Sequence, residues 1–164
     1  MNDPGEPVDE SVHHRLLPTV ADTEALGAEL GAGLRAGDLV VLDGPLGAGK
    51  TALARGIGAG LGVDGRISSP TFIMARDHRP GRPGGVGMVH VDAYRLGSTG
   101  GDVLADLDAL DLDTDLTERV VVVEWGAGVV ERLADRHLLI RLRRGDDTDE
   151  RTATWEWIDA TADA

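Results

Sequence analysis

Leu39-Val40-Val41-Leu42-Asp43-Gly44-Pro45-Leu46-Gly47-Ala48-Gly49-Lys50-Thr51-Ala52-Leu53 is the stretch on which the fold of this chain turns. Leu39 to Leu42 has the length and β-branched content of a buried strand, and Gly44 to Thr51 then satisfies G-x-x-x-x-G-K-S/T at every fixed position. Such a loop turns backbone N–H groups around a polyphosphate, and the helix that follows directs its positive N-terminal end at the same point. Lys50 adds a point charge for the β and γ phosphates, and Thr51 a hydroxyl for a nucleotide-bound magnesium ion. Pro45, Leu46, Gly47, Ala48, Gly49, Lys50, Thr51 and Ala52 are therefore the candidate nucleotide contacts. A glycine-rich turn with an incidental lysine is the competing reading, and the flanking strand and helix signals weigh against it.

Composition bounds what such a loop can serve. The 164 residues suit a single domain, expected over 12–158 between a Pro- and acid-rich disordered leader, 1–11, and a frayed tail, 159–164. Sixteen Lys and Arg stand against 29 Asp and Glu, and a net charge of -13 repels nucleic acid and anionic membrane surfaces. Any RNA involvement is expected through a partner or a local patch. There is no cysteine, hence no disulfide and no thiolate metal site. No apolar segment approaches the roughly 20 residues that span a bilayer, and the N-terminus lacks a signal-peptide pattern, so the expectation is a soluble cytoplasmic protein with no membrane role.

Outward from the loop, Val12 to Val20 reads as a first strand in which His13 and His14 are solvated residues rather than ligands. A helix capped by Asp22 or Thr23 follows, with Leu26, Leu30 and Leu34 in one stripe and Gly37 at its end. The helix after the loop carries Leu53, Ile57 and Leu61 and ends at Gly60 and Gly62. Arg66 to Arg76 is a polar turn opening into a strand, and Arg79 to Gly87 is a Gly- and Pro-rich connection to the strand Met88 to Asp92. Asp102 to Glu118 is an acidic stretch able to form a short helix with a solvated face, and Ala127 to Leu133 a second short helix. Val120 to Val123 is the most emphatic strand, His137 to Leu142 another, and Arg151 to Ile158 the last, after a turn at Gly145 to Glu150. The expected class is α/β: a three-layer α/β/α P-loop fold with a mainly parallel central sheet and antiparallel edge strands.

In such a sheet the residues just past the C-terminal strand ends gather where the nucleotide lies. Two apolar strands end there in acids, Asp92 and Glu124. Nucleotide hydrolysis needs a carboxylate to hold magnesium and a group to orient the attacking water, and these two acids can fill both places. Ser69-Pro70-Thr71 sits where P-loop enzymes carry a segment that senses the γ-phosphate; a proline-stiffened turn with capping hydroxyls explains it equally well.

With these residues in view, the chain resembles the bacterial TsaE (YjeE-like) ATPase family of tRNA threonylcarbamoyladenosine biosynthesis. Gly44 to Thr51 matches that family's G-x-L-G-A-G-K-T, Ser69 to Phe72 its S-P-T-F/Y, His90 to Leu96 its H-x-D-x-Y-R-L, and Glu124-Trp125 its E-W. The resemblance implies ATP and Mg²⁺ as cofactors, Thr51 and Glu124 as metal contacts, Asp92 as a residue required for hydrolysis alongside Lys50, and Thr71 and Trp125 beside the nucleotide. It also implies Arg151 near the nucleotide and Thr19 to Thr23 bordering the adenine. The implied function is an ATPase that resets a TsaD–TsaB transferase, which modifies adenosine 37 of tRNA, so that tRNA is met only indirectly. Two departures stand out: Pro45 replaces an acid common in relatives, and the run Asp106 to Leu116 replaces the family's usual stretch after Y-R-L.

Other uses of the same loop are a small-molecule kinase and a nucleotide-gated adaptor without hydrolysis. A kinase needs an acceptor pocket and usually an arginine-bearing lid, and the Gly- and Pro-rich connection with Arg76, Arg79 and Arg82 makes a poor but not an impossible one. A GTPase is disfavoured, because Asp92 is followed by Ala93-Tyr94-Arg95 instead of D-x-x-G and no N-K-x-D reads guanine.

Overall fold

The structure, a computed structural model, describes residues 12–45, 47–63, 75–83, 85–92, 118–124, 134–145 and 150–159, and only the backbone of 75–77 and Asp92. The expected leader, the Ser69-Pro70-Thr71 segment, the helices at 102–118 and 127–133 and the tail from 160 lie outside the described residues. Among the described residues nine elements follow in order: β1 (His13–Leu17), α1 (Val20–Ala32), β2 (Leu39–Asp43), α2 (Lys50–Leu61), β3 (Ala75–His78), β4 (Gly87–Asp92), β5 (Arg119–Glu124), β6 (Arg136–Arg144) and β7 (Arg151–Asp159).

They form one seven-stranded sheet in the order β1-β7-β6-β2-β5-β4-β3. β6, β2, β5 and β4 are mutually parallel, while β3, β7 and β1 add antiparallel strands at the two sides. This is the mainly parallel sheet with antiparallel edges that the sequence predicts. β2 pairs with later strands on both sides, so the chain switches direction at β2, and the crevice at such a switch point is where open α/β sheets bind ligands. Val120 to Val123 and Leu39 to Leu42 are completely buried, so both faces of the central strands are covered, as fully apolar parallel strands require.

Several boundaries differ from those read in the sequence. β1 stops at Leu17, because Pro18 cannot donate to the ladder and Thr19 opens α1 instead. Thr19, and neither Asp22 nor Thr23, is the N-cap. Its hydroxyl accepts from the Asp22 N–H while the Asp22 carboxylate accepts from the Thr19 N–H at 2.9 Å, a reciprocal capping box. α1 ends at Gly33; Gly37 belongs to the turn before β2, where its N–H donates to Arg119 O. Arg15 on β1 donates to both carboxylate oxygens of Glu29 on α1, and these hydrogen bonds hold the Glu29 carboxyl below its usual range. His13 is exposed and stacks on Trp155 of β7, consistent with a solvated residue.

α1 and α2 pack on one face of the sheet, where Leu26, Leu53, Ile57 and Leu61 join Val40, Leu42, Val122 and Ile140 in one core. Gly60 does not end α2. It lies inside the helix against the backbone of Ala28 and Ala32 of α1, while Gly56 lies against Gly27, so the two backbones touch directly. A Cβ at Gly27 would stand 2.9 Å from the Gly56 Cα and closer still to Leu53 O; one at Gly56 would stand 2.9 Å from the Gly27 Cα and run into Glu24 O. Only glycine permits that approach.

The connection from β3 to β4 is tied to the far end of α2. Gly81 N–H donates to Gly62 O at 2.9 Å, and Pro80 bridges Val63. With about 1.5 Å of rise per residue over the helix, that anchor is roughly 18 Å from the loop at the N-terminus of α2.

The glycine contact makes a stability prediction. Gly27→Ala and Gly56→Ala each force the helices apart and should cost about 1–3 kcal/mol by overpacking. At about 2–4 °C per kcal/mol for a chain of this size, calorimetry should register a lowered thermal midpoint. Gly33→Ala, where a Cβ meets only Leu30 O at an ordinary 3.7 Å, should leave the midpoint within a degree or two of the parent.

Candidate functional site

The loop between β2 and α2 is shaped by backbone demands at two glycines. Gly49 caps α2 with φ 103°, a left-handed conformation that side-chain-bearing residues rarely adopt. Gly44 passes so close to β6 that a Cβ would stand 2.6 Å from Leu142 O. Ala48 is buried in the core and its N–H closes a turn on Pro45 O at 3.1 Å. The fixed glycines of the motif thus answer a dihedral angle at one position and a close approach at the other.

Two buried cations hold the loop. Lys50, 5 % exposed, donates its ammonium to Gly44 O and, at 3.0 Å, to Pro45 O. Arg151, the first residue of β7 and 8 % exposed, donates Nε to Ala48 O at 3.2 Å and Nη2 to Gly47 O at 3.4 Å. Four loop carbonyls are therefore engaged by positive groups, which repays part of the cost of burying each charge. A trans peptide directs its N–H opposite its carbonyl, so holding Ala48 O from the β7 side turns the Gly49 N–H the other way, while the Ala48 N–H already donates to Pro45 O. Thr23 on α1 lies against the same place: its Cγ2 and the Arg151 Nε are each 3.7 Å from where a Gly49 Cβ would be. The Thr23 hydroxyl is buried without a hydrogen-bond partner among the described residues.

Glu124 closes β5. It is 4 % exposed, its Cα pairs with Leu42 on β2 and Asp92 on β4, and its Oε2 lies 2.5 Å from the His90 Nε2. Asp43, one residue beyond Leu42, is half exposed and 3.7 Å from Arg141, a surface pair worth about 0–1 kcal/mol. Thr51 is half-buried and Ala52 buried in the first turn of α2; Pro45 is exposed.

The structure thus gathers most of the expected site. Lys50, Thr51, the loop residues, Arg151, Glu124 and the backbone of Asp92 share the C-terminal edge of the parallel strands. Leu46, Thr71, Trp125 and the Asp92 side chain lie outside the described residues. Two contacts were not foreseen. Arg151 engages the loop's backbone, where the resemblance implied only proximity to the nucleotide. His90, quoted only as part of a motif, bonds Glu124; the signal available was a histidine inside an otherwise apolar strand, two residues before its terminal acid.

Comparisons with known proteins give a consistent result. The model of the family described as threonylcarbamoyl adenosine biosynthesis protein TsaE matches residues 17–153. A Mycobacterium bovis protein named tRNA threonylcarbamoyladenosine biosynthesis protein TsaE is 60% identical over 142 residues, 86% of this chain and 84% of the relative. A Streptomyces coelicolor protein of the same name is 54% identical over 127 residues, 76% of this chain and 82% of that one. Among solved structures, the crystal structure of Bacillus subtilis YdiB superposes with a TM-score of 0.69 at 26% identity, covering 91% of this chain and 86% of YdiB.

If Arg151 organises the loop, Arg151→Ala should weaken triphosphate binding about 10- to 100-fold, the equivalent of one or two charge-assisted hydrogen bonds. Arg151→Lys, which cannot reach both carbonyls with a planar fork, should fall between. Titration calorimetry with a non-hydrolysable triphosphate measures both, and parental affinity in Arg151→Ala would dismiss that role of Arg151.

Proposed function

The chain belongs to the TsaE family of threonylcarbamoyl adenosine biosynthesis proteins, and from that premise we propose that it is a Mg²⁺-dependent ATPase. It acts in the cytoplasm on TsaD-like and TsaB-like subunits of the tRNA threonylcarbamoyl transferase and meets tRNA only through them. The observation that carries the reading is the register that sets Glu124 beside Leu42, so that a buried carboxylate borders the strand feeding the phosphate loop.

The chemistry follows from the residues. Amides of the loop and of the first turn of α2 receive the phosphates, and the helix N-terminus favours their charge. Lys50 exchanges its loop carbonyls for phosphate oxygens, to which a full negative charge attracts it more strongly. Among the described residues no group of three or more His, Cys, Asp or Glu could hold a metal ion by itself. A magnesium ion carried by the nucleotide needs none, because phosphate oxygens and waters supply most of its ligands. Thr51 and Glu124 fit the remaining places: a half-buried hydroxyl at the helix start and a buried carboxylate on the adjacent strand end. Bound there, the ion would neutralise charge developing on the phosphates. Asp92, paired in register with Glu124, is the residue for orienting the attacking water.

The β3–β4 connection, which a kinase reading would need as a lid, is anchored at the far end of α2. That placement favours hydrolysis over transfer to a small acceptor. Among the described residues no helix is long and apolar enough to cross a membrane.

Phosphate release from ATP without an added acceptor, rising when the TsaD- and TsaB-like subunits are supplied, is the expected result; phosphate appearing only on an added small-molecule acceptor would establish the kinase alternative. Lys50→Ala should lower nucleotide affinity about a hundredfold or more, through loss of several charged hydrogen bonds. Asp92→Ala should bind ATP with nearly parental affinity and release no phosphate, and turnover equal to the parent would remove Asp92 from the reaction.

A further inference from the structure

His90 is a buried polar residue that the chemistry above leaves without a role. It has no exposed surface, its Nε2 is 2.5 Å from the Glu124 Oε2, and its Nδ1 has no hydrogen-bond partner among the described residues. A neutral imidazole carries one N–H. Placed on Nδ1, that hydrogen would be a buried donor without an acceptor, and Nε2 would face the carboxylate lone pair to lone pair. Placed on Nε2 it is donated to Oε2. The contacts therefore assign the Nε2–H tautomer.

The sheet makes this contact specific. His90 pairs with Val122, and Glu124 stands two residues beyond Val122 on the same strand. Side chains two apart share a face and register partners in a parallel pair point the same way, so His90 and Glu124 meet diagonally on the face that α1 and α2 cover. Val122 and Leu42 belong to the core on that face, so the bond lies where water does not compete. The terminal torsion of a glutamate is otherwise broad and two-fold. One committed oxygen fixes it.

We propose that His90 is the positioning residue for the metal carboxylate of this site: its Nε2–H holds Oε2 of Glu124 so that Oε1 is the oxygen presented to the nucleotide's magnesium ion. The inference rests on the reading of Glu124 as a metal residue. Ligating carboxylates are commonly hydrogen-bonded by such partners, and losing one typically weakens metal affinity about 10- to 100-fold. A histidine that merely filled the core would affect folding stability and leave the magnesium requirement alone.

The test is the Mg²⁺ concentration needed for half-maximal binding of a fluorescent ATP analogue, with thermal midpoints taken on the same samples. Glu124→Gln examines the underlying reading and should raise that concentration. His90→Gln, whose amide nitrogen reaches the place of Nε2, should stay near the parent. His90→Asn, too short to reach Oε2, should require about 10- to 100-fold more Mg²⁺. Combined with Glu124→Gln, His90→Asn should add nothing further. Parental behaviour of His90→Asn, or equal shifts in the Asn and Gln variants, overturns the positioning role even where Glu124→Gln has shifted. An unshifted Glu124→Gln instead sinks the metal reading itself, and the His90 role with it.

Discussion

Parallel pairing of β2 with β5 in the register Leu42 to Glu124, and of β5 with β4 in the register Glu124 to Asp92, lays an acidic edge beside the start of the phosphate loop. Because side chains alternate along a strand, a slip of one residue would turn Glu124 to the other face. Val120 to Val123 are alike and buried on both faces, so the residues that bound the run, Arg119 and Glu124, mark the register together with the His90 contact. The polar end of the strand is thus what aims the carboxylate. Packing and chemistry are one constraint here.

A second constraint lies under the loop. The glycines of α1 and α2 let two backbones meet, which brings the N-terminal turn of α1, with Thr23, against Gly49. On the far side β7 delivers Arg151 to the loop carbonyls. The loop is therefore gripped from three sides: by α1, by its own Lys50 at the start of α2, and by the first residue of β7. Preorganisation of this kind lets amides receive an anion with little ordering cost at the moment of binding.

Much of this was legible from the chain alone. Gly44 to Thr51 announced the loop because its spacing answers a mechanical need, and Val120 to Val123 announced a central strand because only a strand buried on both faces tolerates so unbroken an apolar run. The endings were less legible. Thr19 and Asp22 form a capping box that sequence can signal, yet Thr23 and Asp22 looked equally able to cap, and the box was seen only once both bonds were present. Gly60 looked like a stop signal because glycine is a common helix terminator; its use as a contact surface depends on Ala28 and Ala32, about 30 positions earlier.

The sequence by itself determined the α/β class, the phosphate loop, the parallel strands with acids at their ends and the family to which the chain belongs. These follow from local periodicity and fixed spacing, which act over a few residues and need no knowledge of neighbours. Only the tertiary structure decided that Arg151 grips Gly47 and Ala48, that α1 and α2 touch through glycine, and that His90 bonds Glu124. Those contacts join residues 34 to 104 positions apart in the two hydrogen-bonded cases. They arise from register and helix docking, which no local pattern encodes.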